Sequence, residues 1–368
     1  MKKVFFIAGE ASGDIYGGLI AHEMSRKSNL GNIEMRGWGG DKMTDAGVEV
    51  TKHYRELAYM GLWEVITNLG TVLDNLKKCW EEIEEFKPDA LVLIDFPGFN
   101  MRIARKASSA KWGEVITFQV VAPQVWAWKQ GRIKSLANDY TAVFPVLPFE
   151  HKLLLEGGVQ SNYCGHPLLD ELSSHQDETL AVSKKPILAL LPGSRKQELN
   201  KMLPVLIKVA QQFPEMEAII AGAPGASDTL YIKAREAGVK VVFGQTRSLL
   251  KTAECAVITS GTATLEAALL NTPHVLVYKT STLTYVIAKL LVKVKFIGLT
   301  NLILNRKVVP ELIQGSCTAE NIAKEIHSLE ISTQGKAFNE LRECLGQTGA
   351  SERISKRMLE IISVHHPS

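Results

Sequence analysis

Apolar runs of five to seven residues, rich in β-branched side chains, recur along the chain and alternate with stretches of helical spacing. In the first half, VFFIA (4–8), ALVLID (90–95), VITFQVV (115–121) and TAVFPV (141–146) read as strands. Between the first two, Val65, Leu69, Val72, Leu76, Trp80 and Ile83 recur at the period of one long amphipathic helix. In the second half, ILALL (187–191), EAIIAG (217–222), VKVVFG (239–244), CAVITS (255–260) and HVLVY (274–278) repeat the pattern. Strands that are apolar nearly throughout, separated by helices, predict parallel sheets covered on both faces.

The pattern restarts after GHPLLDELSSHQDETLAVSKKP (165–186), a polar stretch without a long apolar run. The expected fold class is therefore α/β, with two Rossmann-like doubly wound domains over 1–170 and 186–346. Facing each other, they would form a cleft lined by the C-terminal ends of both sets of strands. Residues 350–363, with Ile354, Met358, Ile361 and Ile362 apolar, predict a helix that can pack back on the first domain.

Composition supports an ordered globular protein: 46% of the 368 residues are apolar, enough for a core in each half. A net charge of +3 with no basic tail gives no argument for nucleic acid. Cys79, Cys164, Cys255, Cys317 and Cys344 are scattered, with no CxxC pair, so neither a zinc site nor a disulfide framework is expected. That usage fits a reducing cytoplasm. The start MKKVFFIAGEASGD imitates a signal peptide, but the apolar stretch is short and Glu10 and Asp14 follow at once, so it reads as a first strand. No uncharged run approaches the ~20 residues of a membrane-spanning helix.

Candidate chemistry concentrates where strands end. In ILALLPGSRKQE (187–198), Ser194 and Gln197 have capping-box spacing, but that leaves Arg195 and Lys196 unexplained. Two cations in a first helical turn oppose the macrodipole by about 0.3–1 kcal/mol each, and a bound anion would reverse that sign. In CAVITSGTATLEAALL (255–270), Ser260, Gly261 and Thr262 open a helix whose free N–H groups suit a diphosphate. Glu266, one turn inside, can accept hydrogen bonds from ribose hydroxyls. With no P-loop motif and no D-x-D, the sequence advertises neither a P-loop nor a metal, and no cofactor is expected. In ALVLIDFPGFN (90–100), Asp95 leaves a buried strand at its C-terminal end, as a general base or as a cap of the next helix. Trp126 and Trp128 suit packing, sugar faces or acyl chains, and the histidines show no ligand spacing.

AGEASGD, YMGLWEV, IDFPGFN, APQVWAWK, LPFE, GHPLLD, LLPGSR, SGTATLE, IAKLLVKVKFIGLTNLI and VPELIQ, in that order from residue 8 to 314, together resemble the lipid-A-disaccharide synthase family. The resemblance implies an inverting GT-B glycosyltransferase. It would move 2,3-diacylglucosamine from its UDP form to the 6-hydroxyl of 2,3-diacylglucosamine 1-phosphate, giving a β-1,6 disaccharide and UDP. It carries Asp95 over as the base and Arg195, Glu266, Asn301, Glu311 and Gln314 as positions on the UDP side. Gly98 stands where many members have Asp, and Ala122 where Ser is common. A UDP-sugar 2-epimerase, a peptidoglycan glycosyltransferase and a non-enzymatic membrane-surface nucleotide-sugar binder are the alternatives.

With the donor phosphates assigned to the second half, the first loop is free to be acidic. Glu10, Ser12 and Asp14 are expected to orient sugar hydroxyls or assist the base, Gly13 and Gly17 to allow close approach, and Asn100 and Ser194 to touch substrate. Alternatively, Ser12 or Asp14 caps the first helix. The lipid substrates imply a cytoplasmic protein resting peripherally on the inner membrane. YMGLWEV (59–65) and TLTYVIAKLLVKVKF (282–296), with Lys289 and Lys293 opposite an apolar face, are the candidate contacts. A homodimer stays open.

Overall fold

The computed structural model describes residues 2–27, 32–57, 69–110, 112–128, 130–174, 183–223, 226–281, 285 and 294–365. The candidate membrane segment 59–65 and most of 282–296, with Lys289 and Lys293, lie outside them. The chain forms two units, one of Met1–Ser174 with Leu345–Ser368 and the other of His175–Cys344.

In the first unit, β1 (Lys2–Ala8), β2 (Ile33–Gly39), β3 (Glu49–His53), β4 (Ala90–Ile94), β5 (Ile116–Val120) and β6 (Ala142–Phe144) form one parallel sheet in the order β3-β2-β1-β4-β5-β6. Alternation along β1 sends Val4 and Phe6 to a core shared with Ile20 and Met24, and Phe5 and Ile7 to a second core with Trp80 and Ile83. Both faces are covered, which is why these strands are apolar without alternation. The helix Ala350–His365 joins the first of these cores through Ile354, Met358 and Ile362. The Asp170 carboxylate holds its start, accepting the N–H groups of Gly349, Ala350 and Ser351.

The second unit repeats the plan with β7 (Ile187–Leu191), β8 (Glu217–Gly222), β9 (Lys240–Phe243), β10 (Cys255–Thr259), β11 (His274–Tyr278) and β12 (Glu311–Ile313), ordered β12-β11-β10-β7-β8-β9. Counted within each unit, both sheets run 3-2-1-4-5-6. The strand order therefore reverses between β1 and β4 and again between β7 and β10, the places where open α/β sheets bind ligands. Three strands, β2, β3 and β12, were not legible as apolar runs. β2 and β3 carry Glu34, Arg36, Glu49 and Lys52 among partly exposed positions, and β12 is three residues long.

Candidate functional site

In the first unit, Asp95 follows β4 directly at the reversal point, and its backbone is left-handed (φ 48°), as are Phe96 (φ 50°) and Val121 (φ 62°). Each such non-glycine residue costs about 1–2 kcal/mol, so the surroundings must hold it. They do so with two buried amides. Asn100 donates to the carbonyls of Asp95 (2.8 Å) and Ile94 (3.3 Å). Gln119 Nε2 lies 3.2, 3.1 and 3.0 Å from the carbonyl oxygens of Asp95, Val120 and Val121. The Phe96 ring lies against Gly9, where a Cβ would come within 2.6 Å of it, so the residue after β1 must be glycine for this turn to close. Through its Nδ2, Asn100 is thus a clamp on the Asp95 backbone. At Gly98 a Cβ would meet nothing within 4 Å, so the departure from the family pattern leaves open space.

Glu10 is exposed at the end of β1, and Ser12 is half-buried in the first turn of the helix Ala11–Lys27. Gly13 and Gly17 serve helix docking: a Cβ at Gly13 would sit 3.2 Å from the Ala8 Cβ, and one at Gly17 would sit 2.8 Å from the Met43 sulfur. Asp14, expected to orient sugar hydroxyls or to cap the first helix, has its carboxylate engaged with backbone elsewhere. It is 3% exposed, and its oxygens accept the backbone N–H groups of Gly40 (2.7 Å), Lys42 (3.1 Å) and Met43 (3.1 Å), capping the helix Asp41–Asp45 instead of its own.

A second carboxyl near Asp95 was missed by sequence reasoning. Glu150 is 2% exposed in the helix Pro148–Glu156, accepting from Trp126 Nε1 (2.9 Å) and the Leu147 N–H (3.3 Å). Burial pushes its pKa from 4.5 up to about 8; the hydrogen bonds from Trp126 and Leu147 oppose this, and the charge of Asp95 adds to it. At neutral pH Glu150 is mainly a neutral acid within the field of Asp95. In sequence it reads as an ordinary acid in a Pro-opened first helical turn, which is why the LPFE stretch gave no chemical signal.

In the second unit, Arg195 is the N-cap of the helix Lys196–Ala210. Glu198, not Gln197, closes the turn, its carboxylate accepting the N–H groups of Ser194 (3.1 Å) and Arg195 (3.2 Å). Gly193 is left-handed (φ 100°), and a Cβ there would come within 2.5 Å of that carboxylate. Across the reversal point, Gly261 caps the helix Thr262–Leu269 without a side-chain hydrogen bond, with Ser260 half-buried and Gly261 and Thr262 exposed. Glu266 accepts from Arg247 Nε at 2.6 Å, with side chains 16% and 19% exposed. Arg247 is a cation at a helix start, as Arg195 and Lys196 are, and the same dipole argument would have found it.

Asn301, Glu311 and Gln314 hold backbone. Glu311 accepts the N–H groups of Ile297 and Gly298 (both 3.0 Å) and Asn301 Nδ2 (2.8 Å). Asn301 in turn accepts from Val308 (2.8 Å) and Val309 (2.9 Å), and Gln314 accepts the Thr280 N–H at 3.0 Å. The resemblance put them on the UDP side; the structure shows them bracing the loop that reaches β12. Among the described residues, no group of three His, Cys, Asp or Glu could hold a metal ion, and no helix is long and apolar enough to cross a membrane.

Residues 4–364 match the family model for lipid-A-disaccharide synthetase. A lipid-A-disaccharide synthase from Syntrophus aciditrophicus is 37% identical over 380 residues, covering 98% of each chain. Among solved structures, a UDP-GlcNAc 2-epimerase from Neisseria meningitidis bound to UDP-GlcNAc superposes with a TM-score of 0.65 at 12% identity, over 97% of this chain and 100% of the other. A calicheamicin glycosyltransferase gives a TM-score of 0.65 at 13% identity over 100% of both chains. At such identities the likeness carries the fold alone, so the epimerase is a structural neighbour, whereas the synthases match in sequence from end to end. With two Rossmann-like units of the GT-B type and a sequence match spanning both, the chain belongs to the lipid-A-disaccharide synthetase family.

Proposed function

We propose that this protein transfers 2,3-diacylglucosamine from its UDP form to the 6-hydroxyl of 2,3-diacylglucosamine 1-phosphate, inverting the anomeric carbon and releasing UDP. The observation that carries the reading is Asp95, fixed in a left-handed turn at the reversal point of its sheet by Asn100 and Gln119. Its carboxylate takes the proton of the acceptor hydroxyl as that oxygen bonds to the anomeric carbon. The bond from that carbon to the diphosphate oxygen breaks, and its electron pair leaves with UDP. Arg195 and the uncapped helix start at Ser260–Thr262 then meet the charge that grows on the diphosphate, while Glu266, held by Arg247, accepts from the ribose hydroxyls. Glu10, at the open end of β1, orients acceptor hydroxyls beside the base. The neutral Glu150 raises no second negative charge against Asp95.

Both substrates carry acyl chains, so we place the protein peripherally on the cytoplasmic face of the inner membrane. The test supplies both diacylated sugars and looks for disaccharide and UDP. Asp95→Asn is expected to lower turnover by ~10² to 10⁴ with UDP affinity intact; wild-type turnover in that variant would remove Asp95 as the base.

A further inference from the structure

Two arginines of the first unit have no part in that mechanism. Arg102 lies in the helix Pro97–Ala107, which leaves the Asp95 turn, and Arg132 opens the helix Arg132–Asp139, which leads into β6. Both helices descend from the sheet edge that carries Asp95. Arg105 Nε and Asp139 Oδ2, 3.8 Å apart, tie their far ends, so the helices run side by side in the same direction. Toward the near end, the Arg102 guanidinium bends back to donate to the Gly98 carbonyl, and the Arg132 guanidinium lies over the Trp128 indole, 5.3 Å from its centroid. Burial lowers the Arg132 pKa from its ordinary value, and the charge of Arg102 lowers it further, as for two cations in one field. Among the described residues neither arginine forms an ion pair. Arg132 also stands in a first helical turn, where the dipole disfavours a cation. Two guanidiniums on neighbouring helices at one sheet edge, neither paired with a carboxylate among the described residues, match a phosphomonoester dianion, which each can bind with charge-assisted hydrogen bonds.

We propose that Arg102 and Arg132 form the subsite for the phosphate of the acceptor sugar. This rests on the reaction proposed above, in which the donor diphosphate belongs to the second unit and the acceptor brings its own phosphate to the Asp95 edge. A lipid headgroup phosphate offers similar chemistry, so the test separates the two sources. In neutral detergent micelles, kcat/KM is measured with diacylglucosamine 1-phosphate and with diacylglucosamine lacking the phosphate. The proteins compared are the native one, Arg102→Gln, Arg132→Gln and the double variant; binding to anionic vesicles without substrate is measured in parallel. The native protein is expected to prefer the phosphorylated acceptor by about 100-fold or more, and the double variant by less than about threefold. The change should fall on KM for that acceptor, with KM for the donor within about twofold and the rate on the unphosphorylated acceptor retained. Retained preference in the double variant would overturn the subsite, as would loss of vesicle binding with the preference unchanged. If the native protein forms no disaccharide with either acceptor, the reaction itself fails and the subsite with it.

Discussion

A carboxyl as deeply buried as Glu150 is costly to ionise, and its two hydrogen-bond donors do not offset that burial. Its folded-state pKa of about 8 lies above the ordinary 4.5, so the folded protein keeps a proton that the unfolded chain releases. The stability tied to this group is therefore fully present below the ordinary value and is lost as pH rises through the folded one. Glu150→Gln is never charged, and although it weakens one of the two hydrogen bonds, its Tm relative to the native protein should climb between about pH 5 and pH 9. A Tm difference that does not change with pH would show that Glu150 is ionised throughout. Glu266 offers a contrasting case, a half-buried carboxylate that accepts from Arg247 Nε at 2.6 Å. Glu266→Ala is expected to weaken UDP binding by about 10- to 100-fold and to abolish discrimination against ribose-modified nucleotides. Calorimetry showing unchanged UDP affinity would refute the ribose role. Residue types at strand ends were legible here, but partners distant in sequence were not: Gln119 reaches back across 24 positions to hold Asp95.

Among the elements, two short acidic side chains fix helices that their own segments do not contain. Asp170 starts the C-terminal helix, 179 to 181 positions later, and Asp14 starts the helix Asp41–Asp45, 26 to 29 positions later. Local patterning identifies a cap only when cap and helix are adjacent, so Asp14 read as a candidate ligand. The same limit hid β2 and β3, whose outer positions meet water, while β1, β4, β7 and β10, buried on both faces, were plain as apolar runs. Asp14→Ala leaves three backbone donors around a vacated carboxylate and should cost about 1.5–3 kcal/mol of unfolding free energy in urea, with UDP affinity unchanged. Native-like stability paired with a raised acceptor KM would return Asp14 to the substrate.

At the level of the whole molecule, the substrates impose a problem that the fold alone does not solve, because sugars with two acyl chains stay in a bilayer. A net charge of +3 is too weak to hold 368 residues at an anionic surface, so the membrane placement proposed above calls for local apolar and basic groups. Leu73 is 59% exposed in the first turns of the helix Leu69–Phe86, and in sequence it comes 10 to 14 positions after Tyr59, Met60, Leu62 and Trp63. In that placement the lysines at 289 and 293 are the proposed basic component, expected to be worth about 1 kcal/mol each beside an anionic leaflet and to be screened by salt. The protein should therefore sediment with anionic vesicles at low salt and be partly released at high salt. Met60→Ser/Leu62→Ser/Leu73→Ser should weaken binding at both salt concentrations, because it removes apolar burial, which salt does not screen. Lys289→Glu/Lys293→Glu should weaken it chiefly at low salt. Each variant should keep its UDP affinity, which separates loss of attachment from loss of fold. Sedimentation that responds to neither set of substitutions would place the membrane-facing surface elsewhere on the molecule.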